Sequence, residues 1–341
     1  MRIRPVTDAD ASRWNAFVNL CEGGNFYQRF EWQAVNARSL GHRTHFLLAQ
    51  RGDDVVGVFP MVHVKSLVFG HVLSSMPFVN FGGPAALDDE AEAALVRAAC
   101  EYADAARCDY LEIRATKPLG DLRTNTDKVS MTIPLVADPD EMMRAFSAKH
   151  RANVKRALKN ELVVRSGGIE LLDEFYALLS LSWKELGTPL YRRDYFADIL
   201  ARFGDDARIF VAYHEGRPIA TAFNGYHGGT VEGMWAGIDP AFHQLQPNTV
   251  LYWEMIRDSC LRGCTAFHLG RSTKDSGAVQ FKEKWLAQPK QLYWNYHLVR
   301  AKAMPGLNPR NPKYALAIRM WQKLPMAVLR VIGPPLARVI P

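Results

Sequence analysis

The sequence predicts an α/β chain (α+β in the order of its elements) made of one unit built twice, and three observations carry that expectation. Phe46-Leu-Leu-Ala-Gln-Arg-Gly-Asp-Asp-Val-Val-Gly resembles Ile209-Phe-Val-Ala-Tyr-His-Glu-Gly-Arg-Pro-Ile-Ala, each reading as strand, polar turn, strand. A helical pattern over 88–106 followed by Cys108-Asp-Tyr-Leu-Glu-Ile-Arg parallels one over 249–262 followed by Cys264-Thr-Ala-Phe-His-Leu-Gly. The 341 residues, 48% hydrophobic and 11% aromatic, suffice for two cores of ordinary size. Chance likeness between generic strands is the alternative; the same order in both halves, hairpin, strand, Pro, helix, strand, favours duplication.

The elements follow in order. Asp8 to Leu20 reads as a helix capped by Thr7 or Asp8, with Trp14, Phe17, Val18 and Cys21 on one stripe. A second short helix follows Phe26-Tyr-Gln-Arg-Phe-Glu-Trp, and Thr44 to Gln50 with Val55 to Val64 form a hairpin across Arg-Gly-Asp-Asp. The acidic start of 88–106 complements a helix dipole, and Tyr110 to Arg114 and Lys128 to Leu135 are strands. Asp138-Pro-Asp marks a boundary, giving a first domain over 1–140 and a second over 141–303. In the second, 140–160, 171–186 and 192–203 are helical, 208–213, 218–226 and 230–237 are strands, and 266–269 is a strand leading into a polar loop (270–277) and a short helix (278–286). The Pro/Gly/Asn-rich run 304–312 reads as a linker before apolar helical pieces at 313–324 and 326–332, which Pro325, Pro334 and Pro335 break. Leu316, Trp321 and Leu324 need a partner, expected to be the first domain.

Lys plus Arg number 42 and Asp plus Glu 35, a net charge of +7 that suits an anionic partner. Five cysteines without framework spacing fit a reducing cytoplasm, and the N-terminus lacks the apolar core of a secretory signal. The most apolar stretch, 67–87, is interrupted by His71, Pro77, Asn80, Gly82, Gly83 and Pro84 and does not read as a membrane span.

Candidate chemistry gathers in two places. Arg151, Lys155 and Lys159 recur at helical spacing beside Lys149 and Arg156, a surface either simply solvated or built to hold a phosphate-rich partner. Lys282 sits next to the stripe of Phe281 and Trp285, with Arg271 and Lys274 in the preceding loop. Acyl transfer to an amine, the reaction that the family resemblance described below implies, needs a base, an oxyanion partner and alignment of the reactants. Lys282 is the candidate for the oxyanion or donor-end charge, Arg271 for phosphate contact, and Glu232, or Glu254, for the base; Tyr191 is a candidate for acceptor binding unless it is a packed loop aromatic. Cys260, Cys264 and His268 are evenly spaced, but Gly263 interrupts any helix that would align them, so no metal is expected. No Gly-x-Ser-x-Gly elbow or phosphate-binding P-loop is present.

The run His268-Leu-Gly-Arg-Ser, then Phe281-Lys-Glu-Lys-Trp and Leu292-Tyr-Trp-Asn-Tyr, resembles the C-terminal signature of Fem-type (FemAB/FemX) aminoacyltransferases. Lys149-His-Arg-Ala-Asn-Val-Lys-Arg-Ala, Leu186-Gly-Thr-Pro-Leu-Tyr and Leu251-Tyr-Trp-Glu match the same pattern, so the likeness covers roughly residues 145 to 300. It is strongest to the FemAB-like proteins that accompany exosortase (PEP-CTERM) systems. The resemblance implies two tandem GNAT-like acyltransferase domains, each a mixed sheet flanked by helices, with a C-terminal helical tail over 304–341. It also implies N-acyl transfer from an aminoacyl-tRNA or other acyl donor to an amine of an envelope glycan, exopolysaccharide or lipid-linked peptidoglycan-type precursor, with no cofactor and no DNA partner. Substrate contact would fall to Gln28, Trp32, Tyr191 and Trp285, and to Lys149, Arg151 and Lys155 on the basic helix. Asn36 stands where the family often carries a lysine, which counts against a nucleotide-diphosphate sugar peptide. An acyl-CoA enzyme of GNAT type carries a glycine-rich turn before the helix at 249, whereas this chain has Gln244-Leu-Gln-Pro-Asn-Thr, with Asn248 or Thr249 as a cap. The expected setting is cytoplasmic, with peripheral contact at an anionic inner membrane through the apolar tail. Rival readings are a non-catalytic tRNA- or membrane-binding adaptor, and acyl transfer from acyl-CoA or an acyl carrier protein.

Overall fold

In the computed structural model, which describes residues 1–66, 70–305 and 312–340, the chain forms two compact units. The first takes Met1–Val129, the stretch following Lys290 and the last residues from Arg338; the second takes Ser130–Pro289 and the C-terminal helices to Ala337. The first division thus precedes the expected boundary at 140, and the chain has already returned to the first unit, from Lys290, before the expected boundary at 303. The reason is topological: strand Lys128–Pro134 is built into the second unit's sheet, and strand Tyr293–Leu298 into the first unit's.

In the first unit one sheet runs Arg2–Pro5, Leu47–Arg51, Asp54–Phe59, Ala85–Ala86, and another Val62–Ser66, Gly70–Ser74, Tyr110–Ala115, Tyr293–Leu298, Arg123–Asn125. Helix Asp89–Ala105 starts where the Asp88 carboxylate accepts the Ala91 N–H, and its buried stripe is Ala91, Leu95, Ala99 and Ala103. Those small residues at four-residue spacing bring the helix onto Ala49, Val56, Leu111 and Ile113.

In the second unit a seven-stranded sheet runs Val163–Gly167, Ala207–His214, Arg217–His227, Thr230–Ile238, Ala266–Thr273, Lys128–Pro134, Gln288–Gln291. The continuous helix expected over 140–160 is two, Pro139–Ala145 and Ala148–Ala157, because the Ser147 hydroxyl caps the second by accepting the His150 N–H. Strand Ala266–Thr273 runs further into the expected polar loop, and helix Gly277–Glu283 follows.

Duplication is visible in the registers. The hairpins at 47–59 and 207–227 carry a bulge at the same repeat position, Ala49/Gln50 and Ala212/Tyr213. Parallel pairings of the same length recur in both units, Val72↔Tyr110 to Ser74↔Glu112 in the first and Thr230↔Ala266 to Glu232↔His268 in the second.

The tail departs from expectation. Helices Pro312–Lys323 and Met326–Ala337 belong to the second unit, where Gln322 donates to the Glu185 carbonyl (2.7 Å), and Gly333 lies against Leu190. Gly187, held at φ +69 as the helix C-cap, leaves room for Ile318 where a Cβ would come within 2.5 Å of it. Only the end returns to the first unit, where His42 Nε2 bonds the Arg338 carbonyl (2.7 Å). Trp321 and Leu329 are buried but Leu316 is exposed, and the second helix runs through Pro334 and Pro335 rather than stopping. A proline ring's fixed φ is helical; what the two prolines cost the helix is their N–H groups and the crowding of their rings against the preceding turn. The linker expected at 304–312 lies largely outside the described residues.

Candidate active site

Strands Thr230–Ile238 and Ala266–Thr273 pair in parallel only over residues 230–232 and 266–268, and then both run on. The polar residues of interest sit where that pairing ends. Glu232 and His268 are direct cross-strand partners, and the Glu232 carboxylate (Oε2) lies 2.7 Å from His268 Nδ1. On the other side His268 Nε2 bonds the Ser130 hydroxyl of the next strand. Glu232, His268 and Ser130 are 2%, 4% and 4% exposed, so the three groups form a buried ladder across three strands. With Nδ1–H given to the carboxylate, Nε2 can take a proton from the serine side.

The first unit carries the counterpart at the equivalent register. Ser74 Oγ donates to Glu112 Oε1 (3.2 Å) and Tyr296 OH to Glu112 Oε2 (3.0 Å), while Arg114 Nε holds Oε1 at 2.7 Å. There the carboxylate is locked in a fully buried ion pair under Trp294. In the second unit the central position is an imidazole, paired with Glu232 and Ser130 instead of an arginine.

Two residues along the same strand, Gly270 has φ +73, a conformation open to glycine that lets the chain turn its carbonyl out of the ladder. Lys282 uses it: Nζ donates to the Gly270 carbonyl (3.2 Å) and the Arg271 carbonyl (3.4 Å). Lys282 was expected at the edge of an apolar stripe, yet it is 9% exposed while Phe281 is only half-buried. Burial lowers its pKa to about 8, since taking an ammonium out of water disfavours the charge and no carboxylate among the described residues compensates here.

The basic helix Ala148–Ala157 flanks a cavity of about 690 Å³ lined by Arg144, Arg151, Lys155 and Arg257, with Asp140 and Glu254 among them. Arg151 has a structural duty too, its Nη1 donating to the Arg144 and Phe146 carbonyls at 2.9 Å. Lys155 and Lys149 are exposed, and Lys155 but not Lys149 lines the cavity. Glu254, the other candidate base, pairs with Arg257 at 3.3 Å in this cavity, away from the ladder's strands.

Other residues expected at a binding surface prove to be interior. Gln28 is 2% exposed, its amide spanning the Gly83 carbonyl (2.7 Å) and the Asn25 N–H (3.1 Å). Trp32 is 1% exposed and donates to the Phe26 carbonyl, and Asn36 donates to the Trp32 carbonyl. Trp285 is fully enclosed by Phe146, His150 and Tyr252. Each is an aromatic or amide whose polar reach stays inside its unit. Tyr191 is half-buried among Trp183, Tyr195 and Phe196. Helix Pro247–Leu261 begins two or three residues earlier than a cap at Asn248 or Thr249 would place it, because Pro247 is preset for the first helical position. The Gln246 carbonyl takes the N–H groups of both Thr249 and Val250, leaving that end without those two donors for a phosphate.

Residues 142–283 match the model of an acetyltransferase (GNAT) domain. That match lies within the second unit. Among solved structures it is similar to FemX, with TM-score 0.69 and 16% identity over 88% of this chain and 98% of that one. It is also similar to the C-terminal domain (DUF2156) of a protein assigned as a lysylphosphatidylglycerol synthetase from Agrobacterium fabrum (TM-score 0.58, 14% identity, 91% and 95% covered). A third likeness is to a tandem GNAT protein from the clavulanic acid biosynthesis pathway (TM-score 0.54, 12% identity, 86% and 97% covered). No curated protein matches the sequence. The likeness to these structures gives the chain the fold of a tandem GNAT protein, with the family match confined to residues 142–283; the repeated order of elements predicted the duplication, and the family resemblance predicted GNAT-like domains.

Proposed function

We propose that the second unit transfers an aminoacyl or acyl group to an amine of an envelope glycan, an exopolysaccharide or a lipid-linked, peptidoglycan-type precursor. The observation that carries this reading is Lys282, a buried lysine held by two backbone carbonyls within the GNAT domain, with its pKa lowered to about 8. At neutral pH it remains mostly charged, and a cation in so dry a place stabilises a tetrahedral oxyanion far more than one in water. The attacking amine must lose a proton, and the Glu232, His268 and Ser130 ladder supplies a path for it, with His268 as acceptor and Glu232 as the carboxylate that orients it. Arg271 contacts phosphate at the donor end in this scheme, and Tyr191 the acceptor.

Aminoacyl-tRNA is the donor we favour. The helix start at Gln246 and Pro247 lacks a glycine cradle, and the cavity beside Arg144, Arg151 and Lys155 suits a phosphate-rich chain. The likeness to FemX and to FemAB-like proteins of exosortase systems supports an exopolysaccharide or cell-wall acceptor. A lipid-linked acceptor is supported by the tail: Val328, Val331, Ile332 and Leu336 are exposed along one stripe of helix Met326–Ala337, flanked by Arg330 and Arg338. That face suits peripheral seating on an anionic inner leaflet. Among the described residues no helix is long and apolar enough to cross a membrane.

Native mass spectrometry of the purified chain, looking for carried tRNA, CoA or glycan, tests the donor assignment. Lys282→Ala separates enzyme from adaptor. An enzyme loses transfer while keeping tRNA binding, whereas an adaptor is indifferent to the change.

A further inference from the structure

The first unit holds a second concentration of chemistry that acyl transfer does not use. His63 and His71 stand on neighbouring antiparallel strands, and Cys108 on the turn entering strand Tyr110–Ala115. His63 Nδ1 and His71 Nε2 are 3.0 Å apart, and Cys108 Sγ lies 3.7 Å from His71 Nε2. All three donor atoms fall within 4.8 Å of one another. We propose that His63, His71 and Cys108 bind a zinc ion through two imidazole nitrogens and one thiolate sulfur, with the fourth position open to water.

The geometry supports it. Zinc bonds of about 2.0–2.1 Å to nitrogen and about 2.3 Å to sulfur, at tetrahedral angles, separate two nitrogens by roughly 3.3 Å and a nitrogen from a sulfur by roughly 3.6 Å. The two separations in the structure, 3.0 and 3.7 Å, straddle those values. The outer shell is in place as well. His63 Nε2 lies 2.9 Å from Tyr102 OH, a hydroxyl that can accept Nε2–H and so leave Nδ1 for the metal, and the His71 backbone N–H is held by Asp109 at 2.7 Å. Asp109 is itself paired with Arg300 at 2.8 Å, and Gly70, at φ +77, allows the hairpin to close on Asp109, where a Cβ would collide with the carboxylate. His63 and Cys108 are buried and His71 is half-exposed, so the ion has an entry path.

A bound dication holds the Cys108 sulfur as the thiolate. Borderline nitrogen with one thiolate at tetrahedral spacing favours zinc over hard-oxygen cations. Such an ion ties strands Val62–Ser66 and Gly70–Ser74 to the start of the unit's parallel pairing.

The experiment titrates the untagged, chelator-stripped full chain with Zn²⁺ against a competing chromophoric chelator, and separately with Co²⁺ as a spectroscopic probe. The expected result is one Zn²⁺ per chain and a thiolate-to-cobalt charge-transfer band. His71→Gln and Cys108→Ser each weaken binding by more than about a hundredfold, Cys108→Ser erases the band, and Tyr102→Phe weakens binding about 10- to 100-fold. His71→Gln keeps the proposal testable if the buried cysteine variant misfolds, since His71 is partly exposed. Absence of stoichiometric binding, or binding unchanged in His71→Gln, would overturn the site and leave the groups as a hydrogen-bonded chain. Neither result depends on acyl transfer.

Discussion

Replacing Lys282 with Met tests whether the fold bears a cost for the site. The side-chain length is kept and the charge removed. Below pH 8 both folded and unfolded chains hold the Lys282 proton, and the folded state bears the desolvation of the ammonium. Between pH 8 and the ordinary value of 10.5 the folded chain has released the proton while the unfolded chain still binds it, so stability rises with pH. Integrating between those two pKa values, the wild type gains about 2 kcal/mol relative to Lys282→Met on going from pH 7 to pH 10. The substitution also leaves the Gly270 and Arg271 carbonyls without their donor, at about 1 kcal/mol each, but that loss is the same at both pH values. Urea unfolding of both proteins at pH 7 and pH 10 reads the difference directly. A pH-independent difference between the two proteins would mean that Lys282 is solvated and charged throughout, and the oxyanion argument would lose its footing.

Three further expectations follow from the same geometry. Glu232→Gln keeps the shape of the ladder but removes its charge, and transfer should fall about a hundredfold or more with an unchanged circular dichroism spectrum; unaltered transfer would make the ladder purely structural. Lys155→Ala should leave stability unchanged and lower the salt slope of tRNA binding by about one, whereas Arg151→Ala should also cost roughly 1–2 kcal/mol by removing donors from the Arg144 and Phe146 carbonyls. Isothermal titration should show no tight acetyl-CoA binding, and micromolar affinity abolished by changes at 244–249 would transfer the donor role to acyl-CoA.

Periodicity and turn chemistry made much of this fold legible. The hairpins, the helix over 89–105 and the duplicated order could be read because each depends on local spacing. Strands Gly70–Ser74 and Val163–Gly167 could not, the first lying in a stretch interrupted by His, Pro and Gly and the second being short and largely exposed. Nor could the ladder. His268 was visible in a motif and Glu232 on a strand, but Ser130 joins them only through the sheet order that brings 128–134 beside 266–273. Lys282 was found for its neighbours rather than its burial: in a seven-residue helix the i, i+4 stripe does not decide which face turns inward. Gln28, Trp32 and Trp285 show the converse error, since the sequence does not reveal that their surroundings are closed.

The most direct test of the central claim is transfer of radiolabelled amino acid from a charged tRNA pool to amine-bearing envelope material, comparing the wild type with Lys282→Ala and Lys282→Arg. The account predicts label in the acceptor with the wild type, loss of about a hundredfold or more with alanine and partial retention with arginine, which keeps the positive charge. Equal transfer by all three proteins would contradict it.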